Sequence, residues 1–133
     1  MSPVSAIALS GMKAALQRFD AAANNIANVR SHGPLPSAAA TGCSPPYTPV
    51  DVVQTSVPGG GVVSRVVNSA RGPVGYYDPS APYADANGMV GAPDIDLASE
   101  MVNLITAELD FAANLVVLRA ESQMMASLFD ILA

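Results

Sequence analysis

The sequence predicts an α+β fold in which two long terminal α-helices form a coiled-coil-like pair around a small Pro/Gly-rich β-hairpin region. Three observations predict it. Residues 31–95 hold ten of the eleven prolines and nine of the ten glycines, which confines the helix breakers to the middle of the chain. Both ends place apolar residues at alternating steps of four and three, the spacing of a heptad seam. Between them stand two β-branched runs around a Pro-Gly-Gly-Gly turn. The expected divisions are an N-terminal helix over 1–30, a flexible linker over 31–46, a hairpin and extended middle region over 47–95, and a C-terminal helix over 96–133.

The first helix opens on Ser2-Pro3, a capping residue followed by proline at the first helical position. Its seam reads Ala8, Met12, Ala15, Phe19, Ala22, Ile26 and Val29, with small residues at half the positions so that a second helix can approach closely. The run Asn24-Asn25-Ile26-Ala27-Asn28 marks its end, because asparagine side chains compete for nearby backbone groups. Residues 31–46 are rich in proline, alanine and serine and read as a linker. Val50–Val57 and Val62–Asn68 read as the strands of a hairpin turned at Pro58-Gly59-Gly60-Gly61. Beyond them Gly72-Pro73, Asp78-Pro79 and Ala81-Pro82 favour extended chain over further long strands.

Asp96 is a good N-cap for the last helix, and Glu100 suits the positive end of its dipole. Its d positions are Leu97, Leu104, Phe111, Leu118, Met125 and Leu132; its a positions are Met101, Glu108, Leu115, Ser122 and Phe129. A second stripe, Val102, Ile105, Leu109, Ala112 and Val116, makes the helix apolar on two faces, so it needs neighbours on two sides. At 1.5 Å per residue, 36 residues make a rod of roughly 54 Å.

Composition limits the function classes. Charged residues are 13% of the chain, against roughly 25% in ordinary soluble domains, so much of the surface is suited to being covered by partners. The net charge of −5 sits wholly in residues 96–133, which carry six acids and one base, while residues 1–95 balance five against five. Without a basic stripe nucleic-acid binding is not expected. His32 is the only histidine and Cys43 the only cysteine, which removes intrachain disulfides, most triads and His/Cys metal sites. Asp85-Ala86-Asn87-Gly88 has part of a calcium-loop pattern, but Tyr83 falls where the first acidic ligand belongs, so a turn is expected. Neither a secretory signal peptide nor an unbroken transmembrane run is evident. No enzyme active site, cofactor or small-molecule substrate is expected.

Two terminal heptad helices around a Pro/Gly-rich middle resemble the axial proteins of the bacterial flagellum. The motif Ser10-Gly11-Met12 followed by Asn24-Asn25-Ile26-Ala27-Asn28 looks like that family's N-terminal signature. Tyr83-Ala84-Asp85-Ala86-Asn87-Gly88-Met89-Val90, then Pro93-Asp94-Ile95-Asp96-Leu97, Glu100-Met101-Val102-Asn103-Leu104-Ile105 and Ala112-Ala113-Asn114, resembles the basal-body rod proteins, in particular the C-type subunit of the proximal rod. The resemblance covers both ends and residues 72–118. The family's basic residue is missing at Ala107-Glu108-Leu109-Asp110-Phe111, and residues 31–46 match no part of the pattern, departures that fit a diverged copy in a second flagellar system.

The resemblance implies a structural subunit exported unfolded by the flagellar type III apparatus, assembling helically in the periplasm-spanning rod and transmitting torque for motility. The implied partners are other copies of the chain, other flagellar rod proteins and the membrane-ring base of the flagellum. Met12, Phe19, Ile26, Leu97, Met101, Leu104, Phe111, Leu115, Leu118, Met125 and Phe129 are the residues expected to pack the helices. The alternative is a soluble helical-hairpin adaptor or export chaperone.

Overall fold

A computed structural model describes residues 2–36 and 42–132. The elements in order are α1 (Pro3–Ala27), β1 (Val50–Ser56), β2 (Val62–Asn68), β3 (Val74–Tyr77), β4 (Met89–Ala92) and α2 (Leu97–Leu132). The two helices and the hairpin between them have the arrangement expected from the sequence.

α1 starts where its cap chemistry places it: the Ser2 hydroxyl accepts the Ser5 N–H at 3.1 Å, and Pro3 occupies the first turn, where no amide donor is needed. It ends two residues before the Val29 seam position. The Asn24 and Asn28 side chains donate to the backbone carbonyls of Asp20 and Asn24, and the Asn28 N–H doubles back to Asn24 and Asn25. α2 is capped by Asp96, which accepts from the Ala98 N–H at 3.1 Å and the Ser99 hydroxyl at 2.6 Å. The Ser99 hydroxyl first, then the Ala98 N–H, hold the Asp96 carboxyl below the ordinary aspartate range.

β1 and β2 pair antiparallel from Val50↔Asn68 to Ser56↔Val62. Gly59, Gly60 and Gly61 all have positive φ, the conformation only glycine adopts without strain. The hairpin lies along α1. Its base meets Asn25, while at its tip Gly60 approaches Ile7, Gly61 approaches Ser10, and the Val62 N–H donates to the Ser10 hydroxyl at 3.1 Å.

A second antiparallel pair, β3–β4, forms where only extended chain was expected. It is four residues long with Gly75 opposite Gly91, too short and glycine-rich for alternation to show in the sequence. Gly33 joins its edge by two backbone hydrogen bonds to Gly91, of 2.9 and 2.7 Å, and Val90 beneath is fully buried. Asp85 turns its carboxylate onto its own loop, accepting the Asn87 and Met89 N–H groups at 2.8 and 2.9 Å, as a turn requires. Of the expected linker over 31–46, residues 37–41 lie outside the described residues; on either side of them, Ser31 accepts the Tyr47 N–H at 3.0 Å.

By length and composition α2 is apolar enough to cross a membrane, although almost none of it is buried here. Glu108 and Asp110 interrupt the apolar run, so it does not stand out in the sequence as a span. Asp110 pairs with Arg18 of α1, so this side of α2 faces a helix.

Candidate assembly interface

The helices are antiparallel and close. Ser5 donates to Glu121 at 3.2 Å, Gly11 faces Asn114, Arg18 pairs with Asp110, and Asn25 donates to Glu100 at 3.0 Å. The buried residues of α1 are five alanines (Ala8, Ala14, Ala15, Ala21 and Ala22) and Asn25, so the approach is set by small side chains rather than by interdigitating large ones. A methyl added at Gly11 would lie 2.5 Å from the Asn114 side-chain oxygen, so glycine there permits the contact despite costing a helix about 1 kcal/mol relative to alanine. Gly11→Ala is therefore expected to weaken the pair by about 1 kcal/mol, and Asn114→Ala added to it to reverse the loss. The urea concentration at which the assembled protein loses its helical circular dichroism checks both.

The contact line on α2 runs through Glu100, Leu104, Ala107, Phe111, Asn114, Leu118 and Glu121, again in steps of four and three. It keeps the expected d positions but replaces the a positions by the residues one before them. The only buried residues of α2 are Glu100 and Ala107. Met12, Ile26, Leu104, Phe111, Leu115 and Leu118 are half-buried along the pair, whereas Phe19, Leu97, Met101, Met125 and Phe129 are exposed in the single chain. The displacement has a physical cause. With alanines opposite, the α1 surface is flat and accepts small and polar residues of α2, leaving the bulky a positions Met101 and Phe129 exposed while Leu115 stays half-buried.

At one end of the line sits a buried polar node that the apolar pattern did not reveal. Asn25 is 1% exposed, and its amide uses every hydrogen-bonding direction available to it. Its nitrogen donates to the Val50 carbonyl at 2.9 Å and to Glu100 Oε1 at 3.0 Å; its oxygen accepts from the Val50 N–H at 2.9 Å and the Tyr47 hydroxyl at 3.1 Å. Glu100, 7% exposed, takes a further bond from Asn103 at 3.3 Å through its other oxygen. Burial, and after it the charge of Glu100, raise the Tyr47 phenol above its ordinary range. One side chain thus joins α1, α2 and the base of the hairpin. The signal was present in the Asn-Asn-Ile-Ala-Asn run, but its partners are distant in the chain and only the fold identifies them.

The opposite end is unfinished. Because Ser5 faces Glu121, α2 continues for about ten residues, ~15 Å, beyond the start of α1. Over this overhang Met124, Met125, Leu128, Phe129, Ile131 and Leu132 are all exposed, Leu132 by 82%. Along the body of α2, Val102, Ile105, Leu109 and Val116 form the second apolar stripe, each about 60% exposed. Together they give α2 exposed apolar residues along most of its length. Among the described residues no group of three or more His, Cys, Asp or Glu side chains is placed to hold a metal ion.

Comparison with known proteins places this architecture. The family described as "Flagella basal body rod protein" matches residues 6–30, and that described as "Flagellar basal body rod FlgEFG protein C-terminal" matches residues 86–131. The chain is 35% identical to the flagellar basal-body rod protein FlgC of Salmonella typhimurium, over 90% of this chain and 88% of that one. It is 37% identical to the protein of the same name from Escherichia coli O6:H1 over the same shares. To that of Agrobacterium fabrum it is 36% identical, over 99% of this chain and 95% of the relative.

Proposed function

The chain belongs to the flagellar basal-body rod protein family as a structural subunit of that rod, and from this premise we propose that it is a C-type subunit of the proximal rod. It is exported unfolded through the flagellar type III apparatus and joins a helical tube with other copies and other rod proteins. There it transmits torque from the membrane-ring base across the periplasm. Its role is structural and not catalytic. Met12, Ile26, Leu104, Phe111, Leu115 and Leu118 close the pair within one subunit, while Phe19, Leu97, Met101, Met125 and Phe129 meet neighbours. Residues 31–46 act as the linker between α1 and the middle region.

The observation that carries this reading is the helix α2, apolar on two faces and extending past α1, its partner helix among the described residues. Burying that surface needs other subunits, so ordering of the ends is coupled to assembly. The adaptor or chaperone alternative is not favoured, since the relatives carry rod-protein names. In dilute solution the chain is expected to show much less helix by circular dichroism than the assembled protein, and fully helical, stable monomers would count against the reading. Leu118→Asp is expected to abolish assembly and motility.

A further inference from the structure

The contact line that α2 offers to α1 does not stop where α1 stops. Glu100, Leu104, Ala107, Phe111, Asn114, Leu118 and Glu121 continue without change of spacing into Met125, Leu128 and Leu132. α1 is 25 residues long and α2 is 36, so the heptad spacing alone permits α1 to sit one heptad, about 10 Å, further along. That position would offer it a more apolar track. Ser5 would meet Leu128 in place of Glu121, and Asn25 would meet Ala107 in place of Glu100. It would also cover part of the overhang.

We infer that the polar contacts Asn25–Glu100, Arg18–Asp110 and Ser5–Glu121 form a register lock that holds α1 off the apolar end of its own α2. Each contact is satisfied in one register only. After a seven-residue shift Arg18 would face Val117, Gly11 would face Glu121, and Glu100 would lose its amide donor as Asn25 moved off with the hairpin base fastened to it. Stripping the buried Glu100 carboxylate and Asn25 amide of each other costs more than the extra apolar burial there would contribute, and the half-exposed Arg18–Asp110 and Ser5–Glu121 contacts add a smaller preference in the same direction. Single polar residues in a heptad line fix register at some cost in stability, and here Glu100 and Glu121 stand on the line with Asp110 beside it. The Gly33–Gly91 backbone bridge lies at the Asn25 end and favours the same position. The consequence, that the lock keeps the last ten residues of α2 available to a neighbouring subunit, rests on the rod reading above; the lock itself does not.

Disulfide trapping in the assembled protein with Cys43→Ser, where the helices are ordered, tests it. Ser5→Cys with Glu121→Cys reports the observed register, and Ser5→Cys with Leu128→Cys reports the shifted one. Mild oxidation is expected to cross-link the first pair within one chain at least tenfold faster than the second. Adding Asn25→Leu and Arg18→Met is expected to bring the second pair to a comparable or greater rate. Equal rates before those changes, or a preference for the first pair that survives them, would overturn the lock and assign the register to the alanine surface or the Gly33–Gly91 bridge. If the doubly substituted chain cross-links at neither pair, a charge exchange decides. Arg18→Asp should slow the Ser5–Glu121 cross-link and Asp110→Arg added to it should restore the rate; no restoration overturns the proposal. Motility of cells carrying the same variants separates the two readings. Altered trapping with normal swimming would leave the lock standing and count against its role in the rod.

Discussion

Asn25→Leu is expected to destabilise the assembled helix pair by about 3 kcal/mol, one of the two largest effects of any single substitution in this chain. Leucine is close in volume, so the loss is not a cavity. It comes from leaving the Glu100 carboxylate, both backbone groups of Val50 and the Tyr47 hydroxyl without their partner, at about 1–3 kcal/mol for each group that water cannot reach. The measurement is the urea concentration at which assembled protein loses its helical circular dichroism. Glu100→Gln separates the contributions, because glutamine can still accept from Asn25 and carries no buried charge. It should cost less than Asn25→Leu. A change of less than about 0.5 kcal/mol for Asn25→Leu would mean that the node is hydrated and that the hairpin base is not fastened through it.

The second large effect lies at the opposite end. Phe129→Asp is expected to abolish assembly and swimming while leaving the dilute single chain unchanged in its circular dichroism. Phe129 is 66% exposed, and α1 begins level with about residue 122, so within one chain the substitution meets water. In the assembly it would bury an unpaired carboxylate, at a cost of several kcal/mol. Leu118→Asp differs, since Leu118 lies on the line shared with α1 and should weaken the pair as well as the assembly. Swimming cells carrying Phe129→Asp would show that the overhang stays in solvent and that its apolar character has another cause.

The contrast between these ends explains how much the sequence disclosed. Both helices, their caps at Ser2 and Asp96, and the hairpin about Gly59–Gly61 rest on local chemistry, and local chemistry is legible in a run of residues. The β3–β4 pair is not, because four-residue strands containing Gly75 and Gly91 carry no alternation and are held by the Gly33 backbone from far upstream. The contact line on α2 was displaced by one residue because apolar size is a poor guide where the opposing surface is alanine. Glu100, Asn114 and Glu121 belong to the line, whereas the larger Met101 and Phe129 do not. The large side chains mark surface that α1 leaves uncovered, and a heptad pattern does not distinguish a partner within the chain from one beyond it.

The central claim is that this chain is a building unit of the flagellar rod. Its most direct test is to purify basal bodies from cells that carry an epitope on the chain's middle region, strip the hook and filament, and quantify the tagged chain beside the other rod proteins. A fixed, saturable number of copies per rod is expected, lost together with swimming when Phe129→Asp is introduced. Complete rods from swimming cells that contain no copy of the chain would contradict it.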